Sequence, residues 1–102
     1  MARIKDSSVM VVRQVVDIVE LIDNRTALRK QGERWVGFCP FNGKCKRSFA
    51  VSTGDVGLFY CFGCRKRGDV IQFVQEIQGL EFAEAVEWLA EHFYIPLEYE
   101  EE

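Results

Sequence analysis

The chain has 102 residues, 48% of them hydrophobic, and a formal charge of −3. That composition describes one globular domain with a modest core, and it excludes a disordered chain. No apolar run approaches the roughly 20 residues a membrane-spanning helix needs, and the small net charge by itself names no partner.

Residues 8–23 carry the first periodic signal. Val12, Val15, Val16 and Val19 recur at helical spacing, with Ile18 and Ile22 widening the stripe. The pattern predicts one helix with Ser7 or Ser8 as its N-cap and Asp23-Asn24 at its end. Valine is a mediocre helix former, so packing must stabilise it. Residues 26–31 and 34–39 read as two strands around a Gln31-Gly32-Glu33 turn, followed by strands over 48–53 and 57–61. Alternation puts Phe49 and Val51 on one face of the third strand. In the fourth it puts Leu58 and Tyr60 on one face and Phe59 and Cys61 on the other. Helical spacing returns over 69–78, capped by Asp69 and closed by Gly79, and again over 81–93, with Phe82, Val86, Leu89 and Phe93 as the buried stripe. Pro96 stops the last helix, and residues 98–102 read as a frayed or solvated acidic tail.

All four cysteines, Cys39, Cys45, Cys61 and Cys64, fall within 26 residues. Cys61-Phe62-Gly63-Cys64 is a C-x-x-C turn that lets two thiolates face one point, and Cys39 and Cys45 bracket a second turn upstream. Two ligand-bearing turns joined by a hairpin-length spacer describe a tetrahedral zinc site of the ribbon type. Two disulfides would suit a secreted protein, but the polar N-terminus shows no secretory segment, which favours a reducing, cytoplasmic setting. A redox C-x-x-C would leave Cys39 and Cys45 without a role. A structural metal also suits so small a core. His92 sits in the last helical segment and reads as a surface or partly buried residue rather than a ligand.

Charge is unevenly distributed. Residues 25–67 hold ten basic and two acidic residues, a balance of +8, while the rest of the chain stands at −11. Binding one divalent ion through four thiolates would still leave the central region at +6. Such segregation is the footprint of a polyanion-binding face, although chance segregation on a solvated surface is the plain alternative. That region also carries Trp35, Phe41, Phe49, Phe59, Tyr60 and Phe62, about half of which must face the core.

Cys39-Pro40-Phe41, Ser48-Phe49-Ala50-Val51, Phe59-Tyr60-Cys61-Phe62-Gly63-Cys64 and Gly68-Asp69-Val70-Ile71-Gln72-Phe73 occur in that order. So do the run Val16-Asp17-Ile18-Val19 and the turn Lys30-Gln31-Gly32. Together they resemble the N-terminal zinc-binding domain of bacterial and phage DnaG-type DNA primases. The family's second ligand is a histidine three residues after the first cysteine. That position is Asn42 here, a poor zinc ligand, and Cys45 lies three residues further on. The expected metal set is therefore Cys39, Cys45, Cys61 and Cys64, with a three-cysteine site completed by water or Asn42 as the alternative.

The expected fold is α+β, a zinc-ribbon antiparallel sheet flanked by an N-terminal helix and two C-terminal helices. It would form a single domain over 1–102, divided into an N-terminal helix (1–24), a zinc ribbon (25–67) and a helical pair with an acidic tail (68–102). Four thiolates would close the coordination shell of one structural zinc and leave no open position for catalysis. Neither a carboxylate cluster suited to two magnesium ions nor a Gly-rich phosphate loop stands out. The resemblance implies a non-catalytic recognition module that binds single-stranded DNA template and selects where primer synthesis starts. Its partners would be a primase catalytic domain, in cis or in trans, and indirectly a replicative helicase. Expected DNA contacts are Lys30, Arg34, Lys46 and Arg47, with Trp35 and Phe59 as stacking residues or, equally, core. Arg65, Lys66 and Arg67 are either further contacts or a solvated turn. A protein-binding zinc ribbon and a thiol oxidoreductase are the competing readings.

Overall fold

A computed structural model describes residues 2–41 and 48–101. Five strands form an antiparallel sheet in chain order: β2 (Arg29–Gln31), β3 (Arg34–Phe38), β4 (Ser48–Ser52), β5 (Leu58–Cys61) and β6 (Arg67–Gly68). Four helices accompany it: α1 (Asp6–Val15), α2 (Ile18–Asp23), α3 (Val70–Gln78) and α4 (Phe82–His92). A separate two-stranded ribbon pairs β1 (Ala2–Ile4) with β7 (Tyr99–Glu101).

The predicted N-terminal helix is two helices. Val16 leaves α1 in an extended conformation, and the Asp17 carboxylate accepts hydrogen bonds from the Val19 and Glu20 amides at 3.0 and 3.2 Å. That cap starts a second helix. Val12, Val16, Ile18 and Ile22 are consequently buried while Val15 is exposed. Neither Ser7 nor Ser8 is the N-cap. Lys5 holds that position, and the Ser8 hydroxyl is buried, accepting the Glu98 amide at 2.9 Å. The acidic tail is exposed, as expected, but paired rather than frayed. Lys5 N–H donates to the Glu98 carbonyl, and β7 continues from there as a strand.

The remaining boundaries follow the sequence with small shifts. The first predicted strand contracts to β2, because Leu28 N–H is taken by the Asp23 side chain at 2.9 Å. Asp69 caps α3 through the Ile71 and Gln72 amides, and its own N–H reaches Gln72 Oε1, completing a capping box. Gly68 permits this: a Cβ there would collide with the Gln72 side chain. Gly79 ends α3 in a left-handed conformation. In α4 the buried stripe is Ala85, Val86, Leu89 and Ala90. Phe82, expected inside, is an exposed first-turn residue, and Phe93 is half-buried against the core.

Strand parity sorts the sheet into two faces. Phe49, Val51, Phe59 and Cys61 point toward the helices and meet Phe73, Val74, Leu89 and Ile22 in the core. Phe41, Phe49, Phe59 and Phe73 form its aromatic centre, with ring centroids 5.4–5.9 Å apart. Arg13 Nε, 2.9 Å from Asp69 Oδ2, ties α1 to the start of α3. No helix among the described residues packs over the second face.

Candidate metal centre and nucleic-acid face

Cys39 follows β3, Cys61 ends β5, and Cys64 lies in the turn between β5 and β6. Their three sulfurs lie within 4.8 Å of one another, two of the residues buried and Cys64 half-buried. Tetrahedral zinc with sulfurs about 2.3 Å from the ion requires those sulfurs to sit about 3.8 Å apart. Cys39 Sγ and Cys64 Sγ are 3.7 Å apart. A disulfide would need about 2.05 Å, so this pair is not bonded.

The Cys61–Arg67 turn is shaped to hold thiolates. Cys64 N–H points at Cys61 Sγ at 3.4 Å, Arg65 N–H donates to the Cys61 carbonyl, and Cys61 N–H to the Lys66 carbonyl, both at 2.9 Å. Arg65 takes a left-handed φ of 63° to close it. Burial pushes the Cys61 thiol up, but the Cys64 and Gly63 amides, with hydrogen bonds from Cys64 and Cys39, outweigh burial and hold it at about 6 rather than 9.0. Thiolates are what a zinc ion binds, and the soft, closely set donors fit it. Lys66 caps the turn from outside. Its ammonium is 2.9 Å from Glu76 on α3 and 5.9 Å from the Phe41 ring centroid. The hydrogen bond to Glu76 raises its pKa, with the Glu76 charge and then Cys64 and Cys39 adding to the effect.

The helix-free face of the sheet is the second feature. Register places Arg29, Val36, Ala50, Tyr60 and Arg67 in one row across five strands. Gln31, Arg34, Ser52 and Leu58 form the next row away from the cysteines. An open depression of about 790 Å³ runs over this face, lined by Arg34, Leu58, Tyr60, Phe62, Arg67 and Gln72 among others. Arg29, Arg34 and Arg67 are exposed, and none pairs with a carboxylate among the described residues.

Of the residues expected to touch nucleic acid, Arg34 lies on this face. Lys30 is exposed on the edge strand but shares a row with Trp35, Val51 and Phe59, on the helix side. Phe59 is 3% exposed inside the aromatic cluster, so of its two readings the core one holds. Trp35 is half-buried against the core, beside a groove rimmed by Asp17, Glu20 and Asp23 whose charges repel phosphate. Asn42, Cys45, Lys46 and Arg47 lie outside the described residues. His92 is exposed and stacked on Trp88 at 3.7 Å, away from the cysteine cluster, as its sequence position implied. Tyr60, Phe62 and Arg67 stand out in the sequence only as members of one basic, aromatic region, and neither Arg29 nor Phe38 stands out singly as a contact. Period-two parity, already used to pair Leu58 with Tyr60, was the signal that could have assembled them.

The sequence profile of the CHC2 zinc finger, the zinc ribbon of DnaG-type proteins, matches residues 4–102. The chain belongs to this family, the zinc-binding domain of DnaG-type DNA primases. This CHC2 zinc finger is 42% identical over 104 aligned residues to the DNA primase of Listeria monocytogenes, covering 100% of the chain and 16% of that protein. It is 44% identical over 94 residues to the DNA primase of Helicobacter pylori J99, covering 92% of the chain and 17% of the relative. The crystal structure of the Aquifex aeolicus primase, comprising zinc-binding and RNA polymerase domains, superposes with a TM-score of 0.79 at 33% identity, over 92% of this chain and 23% of that one. The chain thus spans about one sixth of the length of the curated relatives it matches. The CHC2 finger takes one zinc as a structural metal, and Cys39, Cys61 and Cys64 are grouped to hold it. No helix among the described residues is long and apolar enough to cross a membrane.

Proposed function

We propose that this CHC2 zinc finger binds single-stranded DNA template on the helix-free face of its sheet and so helps a primase choose where primer synthesis begins. The observation that carries the reading is the face itself: Arg29, Arg34 and Arg67 stand exposed around Tyr60, Phe62 and Leu58, beside the cysteine cluster and opposite the acidic helices. Unpaired strands are held by cations along their phosphates and by aromatic faces under their bases, and both are supplied here. Zinc is bound by Cys39, Cys61 and Cys64 with Cys45 as the fourth ligand, in place of the histidine whose position Asn42 occupies. The metal's work is mechanical. It pins the turn after β3 to the turn after β5, fixing the strands whose outer side chains meet the template. Lys46 and Arg47, next to Cys45 in sequence, are further contacts to the template, and Lys30 adds charge at the β2 edge. The chain works as one unit whose chemistry is carried out by a primase catalytic domain, in cis or in trans, with any helicase contact made through other domains.

Fluorescence anisotropy of a labelled single-stranded oligonucleotide, with a primase polymerase domain supplied in trans, tests this. About four phosphate contacts predict a salt slope near −3, or roughly a 50-fold loss of affinity between 50 and 200 mM salt. Lys46→Ala with Arg47→Ala weakens binding and leaves the fold intact. Salt-insensitive retention, or none at low salt, refutes the reading.

A further inference from the structure

We infer that Phe38 and Phe62 form a two-ring slot at the zinc end of the sheet that takes one unpaired base of the bound strand. The inference rests on the DNA-binding reading above and assigns it a specific anchor. Phe38 is paired with Ser48 by register, on the same face of β3 as Arg34 and Val36. Cys61, the last residue of β5, is paired with Phe49, and Phe62 opens the turn directly after it, on the far side of β4 from β3. Tyr60 shares that outer face, and the Phe62 ring packs edge-on against it at 4.9 Å, which fixes its side of the sheet. Phe38 ends β3 and Phe62 follows the end of β5, the two strands on either side of β4. Neighbouring strands lie about 4.8 Å apart, so the two backbones stand about 10 Å apart. That is room for one base stacked between two rings, each at an ordinary stacking distance.

Exposure points the same way. Phe38 is 67% exposed and Phe62 55%, whereas Phe41, Phe49, Phe59 and Phe73 fill the core. Phe62 borders the 790 Å³ depression, and Phe38 borders another of about 570 Å³ on the β2 side. Large rings left this exposed are unfavourable in water and mark a contact surface. The nearby charges, Arg29, Arg34 and Arg67, suit a polyanion and not an acidic protein core or a lipid tail. The slot's occupant is therefore a nucleobase on a phosphate backbone. Its neighbour Tyr60 offers a second, shallower stacking surface one row away.

The test is a binding series with an oligonucleotide carrying 2-aminopurine or an abasic site at each position in turn. In the expected result, 2-aminopurine fluorescence is quenched at one position, and an abasic site there weakens binding about 5- to 150-fold, the range for loss of one base–aromatic stack. Phe38→Ala and Phe62→Ala weaken the intact oligonucleotide similarly and lose the quenching, while the abasic oligonucleotide loses little more. Phe38→Leu keeps apolar bulk without a ring and behaves like Phe38→Ala. Native mass spectrometry showing one zinc in each variant confirms that the fold persists. A flat abasic scan, or wild-type affinity in both alanine variants or in Phe38→Leu, overturns the slot. If Arg34→Ala with Arg67→Ala still weakens binding in that case, the DNA-binding face stands without it. No binding by the wild-type protein removes both.

Discussion

Phe59 and Tyr60 are adjacent in sequence and opposite in consequence, and their alanine variants separate packing from recognition. Phe59 is 3% exposed, with ring centroids 5.4, 5.6 and 5.9 Å from Phe41, Phe49 and Phe73. Truncation removes a whole ring from a site walled by other rings and by strands β4 and β5, which cannot collapse to fill it. The expected loss is about 3–5 kcal/mol. A domain of this size has about 5–15 kcal/mol in all, so the variant sits near or below the edge of folding. Tyr60 faces outward, half-exposed, with Phe62 as its ring partner. Its truncation costs about 1 kcal/mol or less, the scale of one aromatic pair. Urea unfolding of the zinc-loaded proteins, followed by circular dichroism, reads the difference. At a slope near 1.5 kcal/mol/M, Phe59→Ala moves the midpoint down by about 2 M or more, and Tyr60→Ala by well under 1 M. DNA titrations show the reverse order once the folded fraction is accounted for. Equal midpoints for the two variants, or an unfolded Tyr60→Ala, would refute the assignment of the two sheet faces.

Asp69→Ala removes the α3 cap and the Arg13 ion pair together and lowers stability by about 2 kcal/mol in the same denaturation assay, while Asp69→Asn keeps the cap and loses less. Asp17→Ala removes the cap that starts α2 and costs about 1 kcal/mol; no change would mean that the break between α1 and α2 is set by packing alone. Cys45→Ser lowers zinc affinity and loosens the strands joined by the cysteine turns, seen as lost metal by mass spectrometry and a lower melting temperature. Stoichiometric zinc with unchanged melting would remove Cys45 from the ligand set. Chelation of the metal exposes the thiols of the same turns to alkylation, and restoring zinc slows it.

Local chemistry made most of this fold legible in the sequence. The C-x-x-C turn, the Asp69 cap and the Gly79 stop each act over four residues or fewer, and each stands where the sequence placed it. Strand parity correctly put Phe59 and Cys61 on the side opposite Leu58 and Tyr60. The misreadings arose where a short-range signal competed with a longer pattern. The valine stripe runs on through residues 12–19 and so masks the Asp17-x-x-Glu20 cap signal in its middle, making two helices look like one. A serine at 7 or 8 suits a cap because its hydroxyl has local uses, but the partner of the Ser8 hydroxyl is the Glu98 amide, 90 residues away. The same distance hides the β1–β7 ribbon, whose two strands have three residues each. The site was legible in type and incomplete in membership. Zinc ligands announce themselves by spacing, whereas a binding face is assembled from alternate residues of five strands, and only register reveals which basic and aromatic side chains share it.

The most direct test of the central claim is an amide NMR titration of the isotopically labelled, zinc-loaded protein with a short single-stranded oligonucleotide at low salt. Shifts concentrated at Arg29, Arg34, Phe38, Tyr60, Phe62 and Arg67, and fading as salt rises, are the predicted result. Shifts confined to α3 and α4, or a spectrum unmoved by saturating oligonucleotide, would contradict it.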